Sequence, residues 1–117
     1  MQMNLLEAGE RVLVVHRRLF ERDENRLFLG EVEAIDTGVI RTTGYTFVRD
    51  MLEGKMRRKS DARTKLLSLT AGTLIVYVLP RSLDLNLVEI SCEDAEIWLT
   101  DGADFTMNLS EWTHRSH

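Results

Sequence analysis

The longest unbroken apolar run in this 117-residue chain is Leu74–Leu79, and it constrains the fold more than any other segment. Most of its residues are β-branched or aromatic, which suits a pleated strand better than a helix. The run follows Gly72 and ends at Pro80, and a short apolar run between such breaks is typical of a strand buried on both faces. We therefore predict a central strand here, with other strands arranged on both sides of it.

Alternating residues predict a hairpin before this run. In Phe28–Ala34, apolar residues and glycine alternate with Glu31 and Glu33, and this period of two predicts a half-exposed strand. Asp36-Thr37-Gly38 predicts a tight turn into a long strand, Val39–Asp50. Gly44 lies in the middle of that strand, where glycine usually marks a bulge or a sharp bend.

The remaining strands are short and are joined by polar turns. They are predicted at Arg11–Phe20, Lys55–Ser60, Lys65–Thr70, Val88–Cys92, Ala95–Thr100 and Phe105–Leu109. Ala71-Gly72 should turn Lys65–Thr70 back into the central run, so these two strands are expected to pair antiparallel, whereas Pro80–Asn86 predicts an irregular connection.

This pattern predicts an all-β fold, a small antiparallel meander barrel or sandwich of eight to nine short strands with little helix. We expect a single β-rich domain over residues 1–117, with an N-terminal arm at 1–9 and a C-terminal tail at 111–117.

Composition limits the class of protein. Apolar residues make up 44% of the chain and charged residues 29%, which is ordinary for one globular domain. No apolar stretch approaches the roughly 20 residues of a membrane span, and Met1–Glu10 lacks the basic start of a signal peptide. Cys92 is the only cysteine, which excludes an internal disulfide and a multi-cysteine metal site. We expect a cytoplasmic protein of bacterial type, without membrane contact.

The charges are unevenly distributed. The net charge is −4, yet Lys55–Lys65 contains six basic residues and one acid, or +5, which leaves −9 for the rest of the chain. The predicted strand at Lys55–Ser60 would return from Val39–Asp50 as a protruding, highly basic hairpin.

This basic hairpin is the most distinctive candidate site, and three interpretations stay open. Its basic residues are Arg57, Arg58, Lys59, Arg63 and Lys65 together with Lys55. They could grip phosphates while Tyr45 and Phe47 stack on bases, protect a solvated strand edge from aggregation, or contact an acidic face of another subunit. Because the rest of the chain is acidic, the last two interpretations are favoured over nucleic acid.

In strand number and length the chain is similar to small RNA-binding barrels, the Sm-like and oligonucleotide-binding folds. No sequence motif of either family is present, so the resemblance concerns architecture alone.

Trp98 is the second candidate contact residue. It is predicted to face away from Ile97 and Leu99, where a tryptophan either anchors an interface or is covered by its own chain. Trp112 in the tail also indicates docking, onto a neighbour or back onto the core.

The evidence for catalysis is slight, and neither a cofactor nor a metal ion is expected. Glu31 and Glu33 could couple their titrations, but such pairs usually form a solvated face. His16 lies on an apolar strand and Cys92 is in phase with the core residue Ile90, so both are expected to be structural.

The function that we predict is a non-catalytic, homo-oligomeric binding or assembly module. A chain of this size buries only about two-thirds of its surface alone, yet Val12–Val15 and Leu74–Leu79 have the composition of doubly covered strands. The first alternative is a nucleic-acid-binding barrel that uses the basic hairpin. The second is a small-ligand binder or enzyme with a pocket near Glu31, Glu33 and Arg41.

Overall fold

The computed structural model describes residues 5–16, 26–50, 55–93 and 96–109. Within these ranges the chain forms one antiparallel sheet of nine strands and a short 3-10 helix at Leu85–Leu87, and it has no α-helix. The strands are β1 (Arg11–His16), β2 (Arg26–Asp36), β3 (Val39–Asp50), β4 (Lys55–Arg58), β5 (Arg63–Ser68), β6 (Leu74–Leu79), β7 (Glu89–Glu93), β8 (Glu96–Thr100) and β9 (Thr106–Asn108). Their order is β6-β1-β2-β3-β4-β7-β8-β9, and β5 also pairs with β3. The sheet curls into an open half-barrel, which confirms the predicted all-β class.

Several predicted features lie outside the described residues. They are the first four residues of the N-terminal arm, the end of the strand predicted at Arg11–Phe20, the first residue of the strand predicted at Ala95–Thr100, and the tail at 111–117 with Trp112.

The strand that is buried between two neighbours is β1. Residues 12–14 are each fully buried, and β1 pairs with β2 along one edge and with β6 along the other. Leu74–Leu79 does form a strand, β6, but β6 ends the strand order, and Ile75 and Val78 are 42% and 53% exposed. The prediction of a central, doubly buried strand at Leu74–Leu79 is therefore wrong. Apolar composition favours strand conformation, whereas the number of neighbours depends on pairing with distant segments.

The pairing predicted between β5 and β6 is also wrong. The strand β5 pairs with β3, from Val39 opposite Ser68 to Gly44 opposite Arg63, and β6 pairs with β1 along its whole length. Gly72, at a positive φ of 75°, lies in the connection between them. That connection leads the chain to the far side of β1 instead of closing a hairpin.

The sheet carries one hydrophobic core on each face. The first core consists of Leu13, Leu27, Leu29, Phe47, Met56, Leu79, Leu83, Val88, Ile90, Leu99 and Leu109. The second core consists of Val12, Val14, Phe28, Val32, Ile40 and Leu67. Neighbouring residues of a strand point to opposite faces, so β1 and the first half of β2 contribute to both cores. The prediction of a half-exposed strand at Phe28–Ala34 therefore holds only for residues 31–33, where Val32 is buried between the half-buried Glu31 and the exposed Glu33.

Two glycines face each other where the β2–β3 ribbon bends. Gly30 pairs with Gly44, and a Cβ built on Gly44 would lie 1.9 Å from the Leu29 carbonyl oxygen. The bend is visible in a long-range contact, because the Lys65 ammonium lies 4.5 Å from the centre of the Phe28 ring. Lys65 pairs with Thr42 and Phe28 pairs with Thr46. In a flat sheet these positions would lie about 14 Å apart along the strand. The sharp bend predicted at Gly44 is thus present, and Gly30 is its second half.

A tight hairpin joins β2 to β3, as predicted. Asp36 pairs with Val39, and the two turn residues, Thr37 and Gly38, have φ values of 43° and 78°. Positive φ at both positions is typical of the type I′ turns that match the twist of a hairpin. The Thr37 hydroxyl donates to the Asp36 carboxylate at 3.0 Å.

The predicted C-terminal meander is present, since β7 pairs with β8 and β8 with β9. Asp101 organises the last turn, because its Oδ1 accepts hydrogen bonds from the backbone N–H groups of Ala103 at 2.9 Å and Phe105 at 3.1 Å. These two bonds, that from Ala103 first, hold the pKa of the Asp101 carboxyl below its ordinary value of 3.8.

Replacement of Asp101 with asparagine should lower the melting temperature at neutral pH and should matter less in acid. The folded pKa lies below the unfolded value, so the stabilisation by the carboxylate is fully present above pH 3.8 and is lost as the pH falls through the lowered pKa. The difference between wild type and Asp101→Asn, measured by thermal unfolding, should therefore be constant from about pH 7 to about pH 5 and then narrow. Asp104→Asn, at an exposed position of the same turn, is the control. A difference that stays constant at every pH would contradict the assignment.

Candidate functional site

The basic segment folds into the sheet instead of protruding from it. The strand β4 pairs with β3 on one edge and, through Lys55 and Met56, with β7 on the other. Met56 is only 4% exposed and belongs to the first core, so one apolar side chain anchors the otherwise basic strand. The predicted hairpin of β3 and β4 is present, but the returning strand also pairs with β7, so the prediction that it protrudes from the sheet is wrong. The interpretation that the basic residues protect a solvated strand edge stays a prediction, because β7 pairs only with Lys55 and Met56 and both Arg57 and Arg58 are exposed.

Four basic residues form a row along the outer edge of β3. In order, Arg57 lies opposite Val48, the Lys59 N–H donates to the Thr46 carbonyl at 2.8 Å, Arg63 lies opposite Gly44, and Lys65 lies opposite Thr42. We call these four residues the basic row. Directly paired residues share a face of the sheet, so the row lies on the face that carries the second core. Successive positions are two residues of β3 apart, or about 6.8 Å in an extended strand.

Arg26, which is distant in sequence, adds to this positive charge, and His16 lies near it. Arg26 of β2 lies opposite Val48 on the inner side of β3, and His16 lies at the end of β1, beside β2. Burial lowers the pKa of Lys65, and Arg26, Arg63 and Lys59 lower it further. Burial also lowers the pKa of His16, with added effects from Lys65 and Arg26. The lowered pKa favours the neutral form of His16 at pH 7, so the region of positive potential is formed by Lys65 and the cations near it, Arg26, Arg63 and Lys59.

The two aromatic residues expected beside the basic residues lie on the opposite face. Phe47 is 2% exposed within the first core, so a nucleic-acid base cannot stack on its ring. The guanidinium of Arg58 lies 4.8 Å from the centre of the half-buried Tyr45 ring. Arg58 and Tyr45 therefore form a cation–π pair apart from the basic row, and a role for them in partner contact stays a prediction.

Trp98 lies on the same face as the basic row. Its position follows from the ladder, in which Lys55 pairs with Ser91 and Ser91 pairs with Trp98. Trp98 is 37% exposed while its neighbour Leu99 is fully buried, as the alternation predicted. The indole Nε1–H donates to the Glu96 carboxylate at 3.0 Å. Two strand spacings separate Lys55 from Trp98, or about 10 Å, so an exposed aromatic ring lies near the β4 end of the basic row.

The candidate catalytic groups are not brought together. The Glu31 carboxylate lies 2.9 Å from the Arg11 guanidinium, which accounts for its charge. Burial raises the pKa of the Cys92 thiol, although Arg49 acts in the opposite direction, so the thiolate needed for nucleophilic chemistry is disfavoured. Within the described ranges, no three His, Cys, Asp or Glu side chains are grouped as metal ligands would be. The pocket near Glu31, Glu33 and Arg41 stays a prediction.

The outer edge of β6 is the second candidate surface. In the described part of the chain, no strand pairs with this edge. It consists of six uncharged residues without an internal proline or a register shift toward β1. Exposed apolar strand edges of this kind pair readily with another chain. The apolar strand β6 is therefore the described strand that is best suited to pair with another chain.

Comparison of the chain with protein-family models, with curated proteins and with solved structures finds no match. Among the helices of the described residues, none has the length and apolar character required to cross a membrane.

Proposed function

We propose that this protein is a non-catalytic, homo-oligomeric binding module that assembles through the outer edge of β6. The observation that carries the proposal is the apolar strand β6 at the end of the order of described strands, with Ile75 and Val78 exposed at 42% and 53%. A cytoplasmic location is part of the proposal, because Cys92 is the only cysteine and a reducing compartment suits an unpaired thiol.

The other strand edges of the described chain are protected against pairing. Arg63 and Thr64 are exposed on β5, and charged side chains deter edge-to-edge contact. At the opposite end of the sheet, β9 has only three residues, two of which are the exposed polar residues Thr106 and Asn108. Among the described edge strands, only β6 combines length, apolar composition and the absence of charge.

A second copy of this chain is the partner that the edge fits best. Two β6 strands related by a two-fold axis perpendicular to the sheet would run antiparallel and extend the sheet across both copies. The axis keeps each face on its own side, so Ile75 of one copy would lie beside an odd-numbered residue of the other, such as Leu79. The pairing would satisfy the open backbone groups and cover Ile75 and Val78 together.

A charge on the β6 edge should dissociate the assembly. We expect wild type to have at least twice the mass of the chain in light scattering on a sizing column, and Val78→Lys to have the mass of a single chain at the same concentration. Val78 is 53% exposed, so a lysine there should leave the fold intact. Leu66→Lys is the matched control, since Leu66 is 68% exposed on β5.

Two results would reject the assembly through β6. One is a monomeric wild type over the whole concentration range. The other is an oligomer that survives Val78→Lys but dissociates in Leu66→Lys, which would place the interface elsewhere. Far-UV circular dichroism of each variant verifies that the fold is retained.

A further inference from the structure

We propose that the sheet face carrying the basic row binds a single-stranded nucleic acid, with phosphates along the row and a base stacked on Trp98. The row consists of Arg57, Lys59, Arg63 and Lys65. This inference is independent of the assembly through β6, because none of these residues belongs to that edge.

The serial arrangement of the row is the first argument. The end of β4, Lys59 after it and the start of β5 supply basic residues to successive positions along one edge of β3. The four positions run from Val48 to Thr42 and pass through the bend at Gly44, so the row is curved and not straight. A compact anion would contact only neighbouring cations, whereas a flexible polyanion carries charges at intervals and can follow the whole curved row. A nucleic acid strand carries its charge in the second way.

Electrostatic crowding is the second argument. Lys65 lies near Arg26, Arg63 and Lys59, all of which lower its pKa, and the acidic contact that Arg63 makes is weak. It joins the Arg63 guanidinium to the Asp61 carboxylate at 3.9 Å, between side chains that are 65% and 76% exposed. A bound row of phosphates would relieve this repulsion, and the region would attract it in spite of the acidic net charge of −4.

Trp98 supplies the third argument and favours nucleic acid over other polyanions. It lies on the same face as the row, two strands from Lys55, and its indole is fixed by the hydrogen bond to Glu96. The Glu96 carboxylate would repel a phosphate, so the phosphate contacts should end before β8. A base stacked on an aromatic ring contributes about 1–3 kcal/mol without reading sequence, so we expect little sequence preference.

The test measures the binding of a fluorescein-labelled oligouridylate of about 12 nucleotides by anisotropy at several salt concentrations. For wild type we expect the logarithm of the affinity to fall linearly with the logarithm of the salt concentration. Lys59→Gln with Arg63→Gln should weaken binding at least tenfold at low salt and reduce the slope by about 1.4, because two phosphate contacts are lost.

The matched control is Arg41→Gln with Arg49→Gln. It makes the same change in net charge at two exposed arginines on the opposite face of β3, and it should bind like wild type. Equal weakening in both double variants would show attraction to overall charge and would overturn the site. Absence of salt-dependent binding by wild type would overturn it as well.

Stacking is tested separately by tryptophan fluorescence. In a Trp112→Phe background Trp98 is the only tryptophan, and the oligonucleotide should quench its emission. Inorganic polyphosphate of similar length should compete less well than the oligonucleotide and leave the emission unchanged. Equal competition by polyphosphate, without quenching by the oligonucleotide, would overturn the nucleic-acid assignment in favour of a general phosphate polymer.

Discussion

Replacement of Gly44 with alanine is expected to unfold the protein. The added Cβ would lie 1.9 Å from the Leu29 carbonyl oxygen and 2.5 Å from the Gly30 Cα. Both atoms belong to the backbone of β2, so no side-chain rotation can make room and the two strands would have to separate at the bend. We expect a loss of about 4 kcal/mol or more in the free energy of unfolding, a large part of the roughly 5–15 kcal/mol of a typical domain.

The measurement is urea-induced unfolding followed by circular dichroism. Gly72→Ala is the control for the loss of glycine itself, because Gly72 has a φ of 75° but no atom within 4 Å of a built Cβ. That variant should lose only about 1–2 kcal/mol, from the left-handed backbone conformation. Similar losses in the two variants would show that β2 and β3 do not approach each other as closely as the Gly30–Gly44 pair requires.

The second large effect is expected in the opposite direction, at Thr42. The Thr42 side chain is fully buried on the face of the second core, and its Oγ1 has no hydrogen-bond partner among the described residues. A buried polar group without a partner costs about 1–3 kcal/mol. Valine has nearly the same shape without the hydroxyl, so Thr42→Val should stabilise the protein by about that amount.

Thr42→Ser separates the hydroxyl from the methyl group. Serine keeps the unpartnered hydroxyl and removes a buried methyl, so this variant should be destabilised by about 1 kcal/mol. The free energies of unfolding of Thr42→Val and Thr42→Ser are measured by denaturant unfolding at neutral pH. Destabilisation by Thr42→Val would mean that the hydroxyl has a partner in solution, such as an ordered water molecule.

Local patterns in the sequence predicted the strands well and the sheet less well. The hairpin around Thr37-Gly38 and the C-terminal meander were predictable because each strand pairs with its neighbour in sequence. The edge position of β6 and its pairing with β1 were not, since the partners lie about sixty residues apart. The composition of an apolar run does not show whether its strand lies between two others or at the edge of a sheet.

The basic row illustrates the same limit at the candidate site. The sequence showed the positive charge of Lys55–Lys65, but only the register on β3 separates the row from Arg58, which faces the first core. Arg26 and His16 joined the cluster through pairing that no local pattern reveals.

One signal for the Gly30–Gly44 pair could have been used. Counting back from the hairpin turn without a bulge places Gly30 opposite Tyr45. The register shift between Val32 and Ala34 moves its partner by one residue, to Gly44. A glycine in each strand at nearly the same distance from the turn therefore indicates that the two backbones approach closely. A count that leaves out the bulge does not pair the two glycines.

The placement of two cores on opposite faces of one sheet has a consequence for cooperativity. Leu13 and Val14 are adjacent in β1 and belong to different cores, as do Leu27 and Phe28 in β2. Because β1 and β2 contribute side chains to both cores, unfolding of one core would also disrupt the packing of the other. Hydrogen exchange should therefore show the amides of β1 and of the first half of β2 opening together in a single global event, in place of two separately unfolding subdomains.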